Sequence, residues 1–213
     1  MVCDDRFVAP MNAINLRGGV EVEHPLELAL EFLASYSSFD AYNSSGPRSF
    51  DEGDLRLANR GGARISGAEI AAILERRGEI KRTLRKIHPD ASLADATSSV
   101  PWIPLMRLLD AFADIPGVGF SKMTKALHRK RPALIPMLDS VVQAYLTRDD
   151  LETRSSESFV ARATALVRSY KRDLDRSHAV LREIQRELAS RDYRLTEVRI
   201  LLDILIWSVS AAT

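Results

Sequence analysis

The sequence predicts a nearly all-helical fold in which a glycine-rich turn joins two helices. Through most of the chain, apolar residues recur at steps of three and four, the spacing of one face of an α-helix. The segment Ile115-Pro116-Gly117-Val118-Gly119 interrupts this pattern with residues that favour a tight reversal, and a new helical pattern follows it directly. We therefore expect an all-α, compact helical domain with a helix-hairpin-helix and a long C-terminal amphipathic helix.

The composition fits one globular body and restricts the classes of function. Of the 213 residues, 46% are apolar and 28% are charged, which is enough to bury a core. The 30 Lys and Arg residues nearly balance the 29 Asp and Glu residues, so any affinity for nucleic acid must come from a local patch. Cys3 is the single cysteine, and the 4 histidines lack the spacing of metal ligands. We expect neither a metal nor a cofactor.

The sequence carries no signal for a membrane. Its start, MVCDDRFVAP, has two acids where a signal peptide needs basic charge. The most apolar tract, 200–209, is interrupted by Asp203 and is shorter than the roughly 18 residues of a membrane span. These features predict a cytoplasmic protein that does not contact a membrane.

The first residues differ in pattern from the rest of the chain. Residues 1–23 contain Pro10, Gly18 and Gly19 and show no helical period. We expect an N-terminal arm over 1–23, extended or folded as a short hairpin around Arg17-Gly18-Gly19, and a single helical domain over 24–213.

Start and stop signals divide the first half of this domain into helices. Ser66-Gly67-Ala68-Glu69 has the form of a capping box, which opens a helix that runs to about Arg77. Gly61-Gly62 and Gly78 are expected to separate neighbouring helices, and Pro89 to end one. The expected helices begin near Pro25, Asp51, Ser66, Glu79 and Trp102.

After the glycine-rich turn, the pattern predicts a helix to about His128 and another over 140–146, with Asp139 as its N-cap. Residues 156–190 then alternate apolar positions with arginines, as in a long solvated amphipathic helix. The last helix, 195–209, is apolar nearly all round and is expected to be buried, with Trp207 in the core.

The glycine-rich turn carries the strongest functional signal. Glycine lets a partner approach the backbone, and free amides at the start of the next helix can bind a phosphate oxygen. Basic residues follow, and no acid occurs between Ile115 and Leu138. The predicted basic patch contains Lys122, Lys125, Arg129, Lys130 and Arg131. The alternative is an ordinary helix connection with a solvated basic face.

The segment 115–119 resembles the hairpin of the helix-hairpin-helix DNA glycosylase superfamily, whose members carry a catalytic aspartate a fixed distance downstream. Asp139 stands at that distance, in Leu138-Asp139-Ser140-Val141-Val142, which is similar to the family's Val-Asp-Thr-His-Val-like run. The resemblance covers about 51–146, with the helix-hairpin-helix at about 101–130. The run 131–142 also resembles an uncharacterised family found in actinobacteria, for which no activity is established.

Three departures from the superfamily pattern narrow what the resemblance implies. Val141 replaces the histidine after the aspartate, and Ser121 stands where bifunctional members have a Schiff-base lysine. The cysteines that bind an iron–sulfur cluster in many members are also missing. The resemblance therefore implies a monofunctional DNA-repair type of N-glycosylase, a hydrolase that uses water, or a member without catalysis.

The resemblance also implies a role for each candidate residue. Asp139 would stabilise the sugar cation or activate water, and a flipped base would enter a pocket. The backbone of the nucleic acid, with DNA favoured, would contact Gly117, Val118, Gly119, Ser121, Lys122 and Lys125. Candidates for the base pocket are Tyr42, Asn59 and Trp102.

Simpler roles exist for several of these residues. Asp139 can be only a helix N-cap, and Asn59 can be only a helix C-cap before Gly61-Gly62. A non-catalytic helix-hairpin-helix module that binds nucleic acid or a protein partner is the alternative to the enzyme.

Overall fold

The structure, a computed structural model, describes residues 13–36, 46–94, 99–147 and 157–207, and helices dominate these ranges. This confirms the predicted all-α class and the long C-terminal helix. A π-helical segment, Ile200–Trp207, continues the last helix. The helices are α1 Pro25–Tyr36, α2 Glu52–Arg60, α3 Gly67–Glu75, α4 Arg77–Leu84, α5 Trp102–Asp110, α6 Phe120–His128, α7 Ser140–Thr147, α8 Phe159–Ser190 and α9 Glu197–Arg199.

A small β-hairpin precedes the helices. Strands β1, Ile14–Asn15, and β2, Glu21–Val22, pair antiparallel, with Ile14 opposite Val22. The chain turns at Arg17–Gly19, where both glycines have a φ of +72°. The expected hairpin around Arg17-Gly18-Gly19 is therefore confirmed. Ile14, Leu16 and Val22 are buried, so the described part of the N-terminal arm packs onto the helical core.

Arg17 fastens this hairpin to the helices. Its side chain is buried, and its Nε donates to Asp173 Oδ2 at 2.7 Å. The two terminal nitrogens donate to the carbonyl of Leu146 at 3.1 Å and to the carbonyl and hydroxyl of Ser169 at 3.0 and 2.8 Å. One guanidinium thus joins the hairpin to the end of α7 and the middle of α8.

Side-chain caps fix the starts of α2 and α3. Ser66 and Glu69 form the expected capping box, and Asp51 and Asp54 form a second one at α2. Gly78 does not separate two helices as predicted, because it lies inside α4. The junction is Arg76, which caps the end of α3 and the start of α4. Glycine is tolerated at Gly78 because it lies in the first turn, where the amides have no partner within the helix.

The long helix α8 packs its apolar face against α1, α5, α7 and α9. Tyr170, Leu174 and Leu181 are fully buried on this face, while the arginines of the opposite face are exposed, as the amphipathic pattern predicts. The Tyr170 hydroxyl donates to the carbonyl of Val198 at 2.7 Å, which ties α8 to α9.

The last helical stretch differs from the prediction in its winding. After one turn of α9 the chain continues as the π-helical segment, with Leu201 and Ile206 buried. Trp207 is 36% exposed, so the expectation that it lies in the core is wrong.

Across the described ranges, no helix combines the length and the apolar character needed to cross a bilayer.

Candidate functional site

The glycine-rich segment forms a tight turn between α5 and α6. The N–H of Val118 donates to the carbonyl of Ile115 at 3.1 Å, and Gly117 adopts a φ of +80°. Gly119 is the N-cap of α6 and supplies no side chain to the amides of the first turn. The predicted helix-hairpin-helix is therefore present, and no N-cap side chain accepts from the amides at the start of α6.

A carboxylate from α3 lies directly against this hairpin. A Cβ added to Gly117 would come within 2.2 Å of Glu69 Oε1. The Glu69 carboxylate in turn accepts from Lys122 Nζ at 2.7 and 2.8 Å. The hydrogen bond from Lys122 lowers the pKa of Glu69, which favours the charged pair. The hairpin lysine is thus held by an acid of this chain, which the sequence pattern did not reveal.

Gly117→Ala is expected to destabilise the protein by about 1–3 kcal/mol, because alanine is strained at positive φ and its Cβ must displace Glu69. Urea unfolding monitored by circular dichroism measures this change. Gly119→Ala is the matched control, since Gly119 has a φ of −87° and nothing within 4 Å of an added Cβ. Equal effects of the two substitutions would contradict the role given to Gly117.

The predicted basic patch is wrong for two of its members. Lys130 Nζ lies 2.6 Å from Asp54 Oδ1, and neither side chain is exposed. Burial lowers the pKa of Lys130, and the hydrogen bond with Asp54 opposes this shift. Arg131 is fully buried and donates to the carbonyls of Pro47, Leu84 and Ile87 at 2.7 to 2.8 Å. Both cations pair with groups from distant parts of the chain and cannot touch a nucleic acid.

The predicted contact residues on α6 are each partly exposed. Ser121, Lys122 and Lys125 are half-buried on the first turns of α6. Lys125 Nζ lies over the turn after α2, 3.9 Å from the position of a Cβ on Gly62. Within the described ranges, Lys125 makes no ion pair with an acidic side chain. Because Lys122 is paired and Lys130 and Arg131 are buried, the positive charge near the hairpin is still smaller than the sequence suggested.

Asp139 lies close to the hairpin helix. The hydroxyl of Thr124, in α6, donates to the carbonyl of Phe120 at 2.7 Å and accepts from the N–H of Leu138 at 2.9 Å. Asp139 follows immediately, at the N-terminus of α7, where its Oδ1 accepts from the N–H of Val142 at 3.0 Å. The predicted N-cap is thus confirmed, and a buried hydroxyl ties it to α6.

The second oxygen of Asp139 contacts a residue that the sequence placed in the core. Trp207 Nε1 donates to Asp139 Oδ2 at 3.1 Å. The π-helical winding, with its wider i to i+5 bonding, moves Trp207 off the face that an α-helical period assigns to it. No signal in the sequence indicated this contact. The result is a half-buried carboxylate beside an exposed indole.

Two of the three candidates for a base pocket, Asn59 and Trp102, lie in the described ranges, and each contacts other groups. Asn59 donates to the carbonyl of Ile65 at 2.8 Å and accepts from its N–H at 2.6 Å, which closes the loop after α2, while Gly61 is the C-cap. The ring of Trp102 lies under the guanidinium of Arg168, with 5.0 Å from Cζ to the ring centroid. In the described ranges, neither residue makes a hydrogen bond or a ring contact with Asp139. Tyr42 lies outside the described residues.

The same ranges hold no cluster of three or more His, Cys, Asp or Glu side chains that could bind a metal. The candidate site consists of the hairpin, Asp139 and Trp207, which are joined through Thr124 and the Asp139 carboxylate.

These three features fall within one match to a family model. A family described as being of unknown function, DUF6308, matches residues 30–210. The chain belongs to DUF6308. The DUF6308 region includes the hairpin, the Asp139 segment and the π-helical segment Ile200–Trp207. No curated protein matches the chain, and no solved structure matches it.

Proposed function

We propose that this DUF6308 protein is a monofunctional N-glycosylase that acts on DNA or a related nucleotide in the cytoplasm. The observation that carries the proposal is the position of Asp139, a half-buried carboxylate tied to the hairpin helix through Thr124 and Leu138. This position supports the assignment of Asp139 as the catalytic carboxylate, which its spacing from the hairpin suggested.

The reaction requires a carboxylate that is fixed in position and still has unoccupied hydrogen-bond acceptor positions. An ionised carboxylate can accept about four hydrogen bonds. Asp139 accepts one from Val142 and one from Trp207, which leaves room for a water molecule or for the sugar. When the bond between C1′ and the base nitrogen breaks, its electron pair leaves with the base and positive charge develops on the sugar, which Asp139 stabilises. Water then forms the new C1′–O bond, and the proton that it loses ends on the departed base.

The surroundings of Asp139 supply the other contacts that this reaction needs. The exposed face of Trp207 offers a surface on which a base can stack. The amides at the start of α6, which have no side-chain cap, favour an anion such as a phosphate oxygen. Lys122 can contact the same phosphate only if it leaves Glu69, so binding is expected to be weak and sensitive to salt.

Asp139→Asn is expected to lower the rate of base release by about 100-fold or more, because the amide removes the charge that stabilises the sugar cation. Asparagine caps helices as well as aspartate does, so the fold should persist. The assay measures base release from a panel of damaged duplexes and nucleosides. Asp110→Asn, which removes the same charge from an exposed position on α5, is the control. Equal release by Asp139→Asn and wild type, or no release by wild type, would sink the proposal.

A specific observation favours a second candidate function. The protein would be a non-catalytic helix-hairpin-helix module that binds either nucleic acid or a protein partner. Lys130 and Arg131 are buried and Lys122 is paired, which leaves little positive charge to hold a nucleic acid in place for catalysis and favours weak binding or a protein partner. For this module, Lys122→Glu or Lys125→Glu weakens salt-dependent binding while no turnover occurs. Undetectable binding to nucleic acid would leave the protein partner.

Glu69→Gln is expected to strengthen binding to DNA about five-fold at low salt in either case, because it releases Lys122 from its ion pair. Glutamine also serves at this position of a capping box, so α3 should still begin at Gly67. Fluorescence anisotropy with labelled duplex measures the affinity. The control is Glu75→Gln, an exposed carboxylate on the same helix. An unchanged affinity would show that Lys122 does not contact DNA.

A further inference from the structure

A groove at the end of α4 concentrates positive charge outside the candidate site. It has a volume of about 500 Å³ and lies between the segment 46–49 and the end of α4. Arg48 lines the groove from the first segment, and Lys81 and Arg85 line it from the second. Both arginines are exposed, and Lys81 is half-buried. The groove shares no residue with the hairpin or with Asp139.

The three cations of this groove have no compensating acid in the part of the chain that the structure describes. None of them makes an ion pair there, and no acidic side chain lines the groove. The acids that flank the lining along the chain are engaged elsewhere. Asp51 caps α2, and Asp90 lies 3.7 Å from His88 Nδ1.

The cations of α4 form a row on one side of that helix. Arg77, Lys81 and Arg85 follow one another at steps of four, which places neighbours about 6 Å apart. Glu79, the single acid of α4, is two residues from both Arg77 and Lys81, and residues two apart on a helix do not face each other. The helix dipole favours cations in the last turn, but it does not account for Arg77 in the first turn or for Arg48 outside the helix.

Arg131 joins the two walls of the groove. Its buried guanidinium donates to the carbonyl of Pro47 on one wall at 2.7 Å, and to those of Leu84 and Ile87 on the other at 2.7 and 2.8 Å. These acceptors are neutral, and Arg131 Nε has no acceptor among the described residues. The walls are therefore fixed by a cation that no carboxylate neutralises.

The charge of Arg131 adds to the field of the groove. Burial lowers the pKa of Arg131 first, the charge of Arg48 lowers it further, and the charge of Asp90 opposes these effects. Arg48 and Arg131 thus repel each other, and an anion held at the surface above them relieves that repulsion. Arg131 itself is buried and does not contact the anion.

We propose that this groove and the row on α4 bind the phosphate backbone of a nucleic acid. Arg77 and Arg85 lie about 12 Å apart along the helix. Each strand of a duplex carries one charge per roughly 3.4 Å, so the row spans three or four phosphates, and a single phosphate group would reach only part of it. The inference rests on the proposed function only for the class of partner, and it requires no catalysis by Asp139.

Fluorescence anisotropy of the full chain with a labelled duplex, measured over a series of salt concentrations, tests the proposal. The variant combines Arg48→Gln, Lys81→Gln and Arg85→Gln. Each lost phosphate contact lowers the slope of log affinity against log salt by about 0.9, so the slope should fall by about 2–3 and the affinity about ten-fold or more. Glutamine favours helix, so α4 should persist, which circular dichroism checks. Arg48→Gln alone, outside the helices, should lower the slope by about one.

A matched control removes three positive charges from exposed positions on α8 and at its C-cap, through Arg182→Gln, Arg186→Gln and Arg191→Gln. It should bind the duplex as wild type does. Equal losses in the two triple variants would overturn the assignment, and so would a wild type that binds no duplex at low salt. Displacement of the duplex by poly-glutamate as readily as by unlabelled duplex would indicate an acidic protein partner and would overturn it as well.

Base release separates this inference from the proposed function. Weak duplex binding by the groove variant, together with undiminished base release from free nucleosides, would support the groove as a surface that holds the backbone and does not touch the reacting base. If wild type binds duplex through the groove but releases no base from any substrate, the glycosylase proposal fails and the groove assignment stands.

Discussion

Lys130→Met is expected to destabilise the protein by about 3–5 kcal/mol, because it leaves the carboxylate of Asp54 buried without its cation. Lys130 Nζ and Asp54 Oδ1 are 2.6 Å apart, and both side chains are fully buried. Asp54 Oδ2 also accepts from the N–H of Asp51 at 2.9 Å, so the pair joins the end of α6 to the cap of α2. Urea unfolding measures the loss.

Two further variants separate charge from packing at this pair. Lys130→Met combined with Asp54→Asn removes both charges and keeps an acceptor for the N–H of Asp51, so it should regain more than half of the lost stability. Lys125→Met changes a half-buried lysine of α6, the helix that ends two residues before Lys130, and should cost less than about 1 kcal/mol. If Lys130→Met lowered the free energy of unfolding by less than about 1 kcal/mol, the ion pair would contribute little to stability.

Arg17→Met is expected to cost about 2–4 kcal/mol, since it strands the buried carbonyls of Leu146 and Ser169 and leaves Asp173 with Arg176 in place of two cations. The loss should detach the β-hairpin, which hydrogen exchange of the amides over 14–22 would show as faster exchange than in α8.

Arg17→Lys keeps the positive charge but cannot reproduce the planar set of donors, so an intermediate loss is expected. Arg182→Met, at an exposed position of α8, is the control and should stay within about 0.5 kcal/mol of wild type. If Arg17→Lys were as stable as wild type, charge alone would account for the anchor.

Local signals were sufficient to predict most of the helix starts. The capping box at Ser66 and Glu69, the N-cap Asp139 and the turn at Gly117 depend on neighbours within a few residues, and each occurs as expected. The junction at Arg76 was missed because it carries no capping side chain and has an ordinary φ of −90°.

Long-range pairing decided what the sequence could not show. Lys122 and Glu69 are 53 residues apart, and nothing in either neighbourhood marks them as partners. Lys130 and Arg131 belong to a basic run that is typical of a solvated face, but acceptors from α2 and α4 bury them. Charged side chains are seldom buried unless they are paired, and pairing depends on the fold.

The contact of Trp207 with Asp139 also provides an intrinsic fluorophore at the candidate site. The protein contains 2 tryptophans, and the other, Trp102, lies under Arg168. With Trp102 changed to phenylalanine, all tryptophan emission would originate from the indole that donates to the Asp139 carboxylate. Water, a base or a sugar that displaces this hydrogen bond changes the polarity around the ring. Emission from Trp207 therefore makes occupancy of the site visible in unlabelled protein.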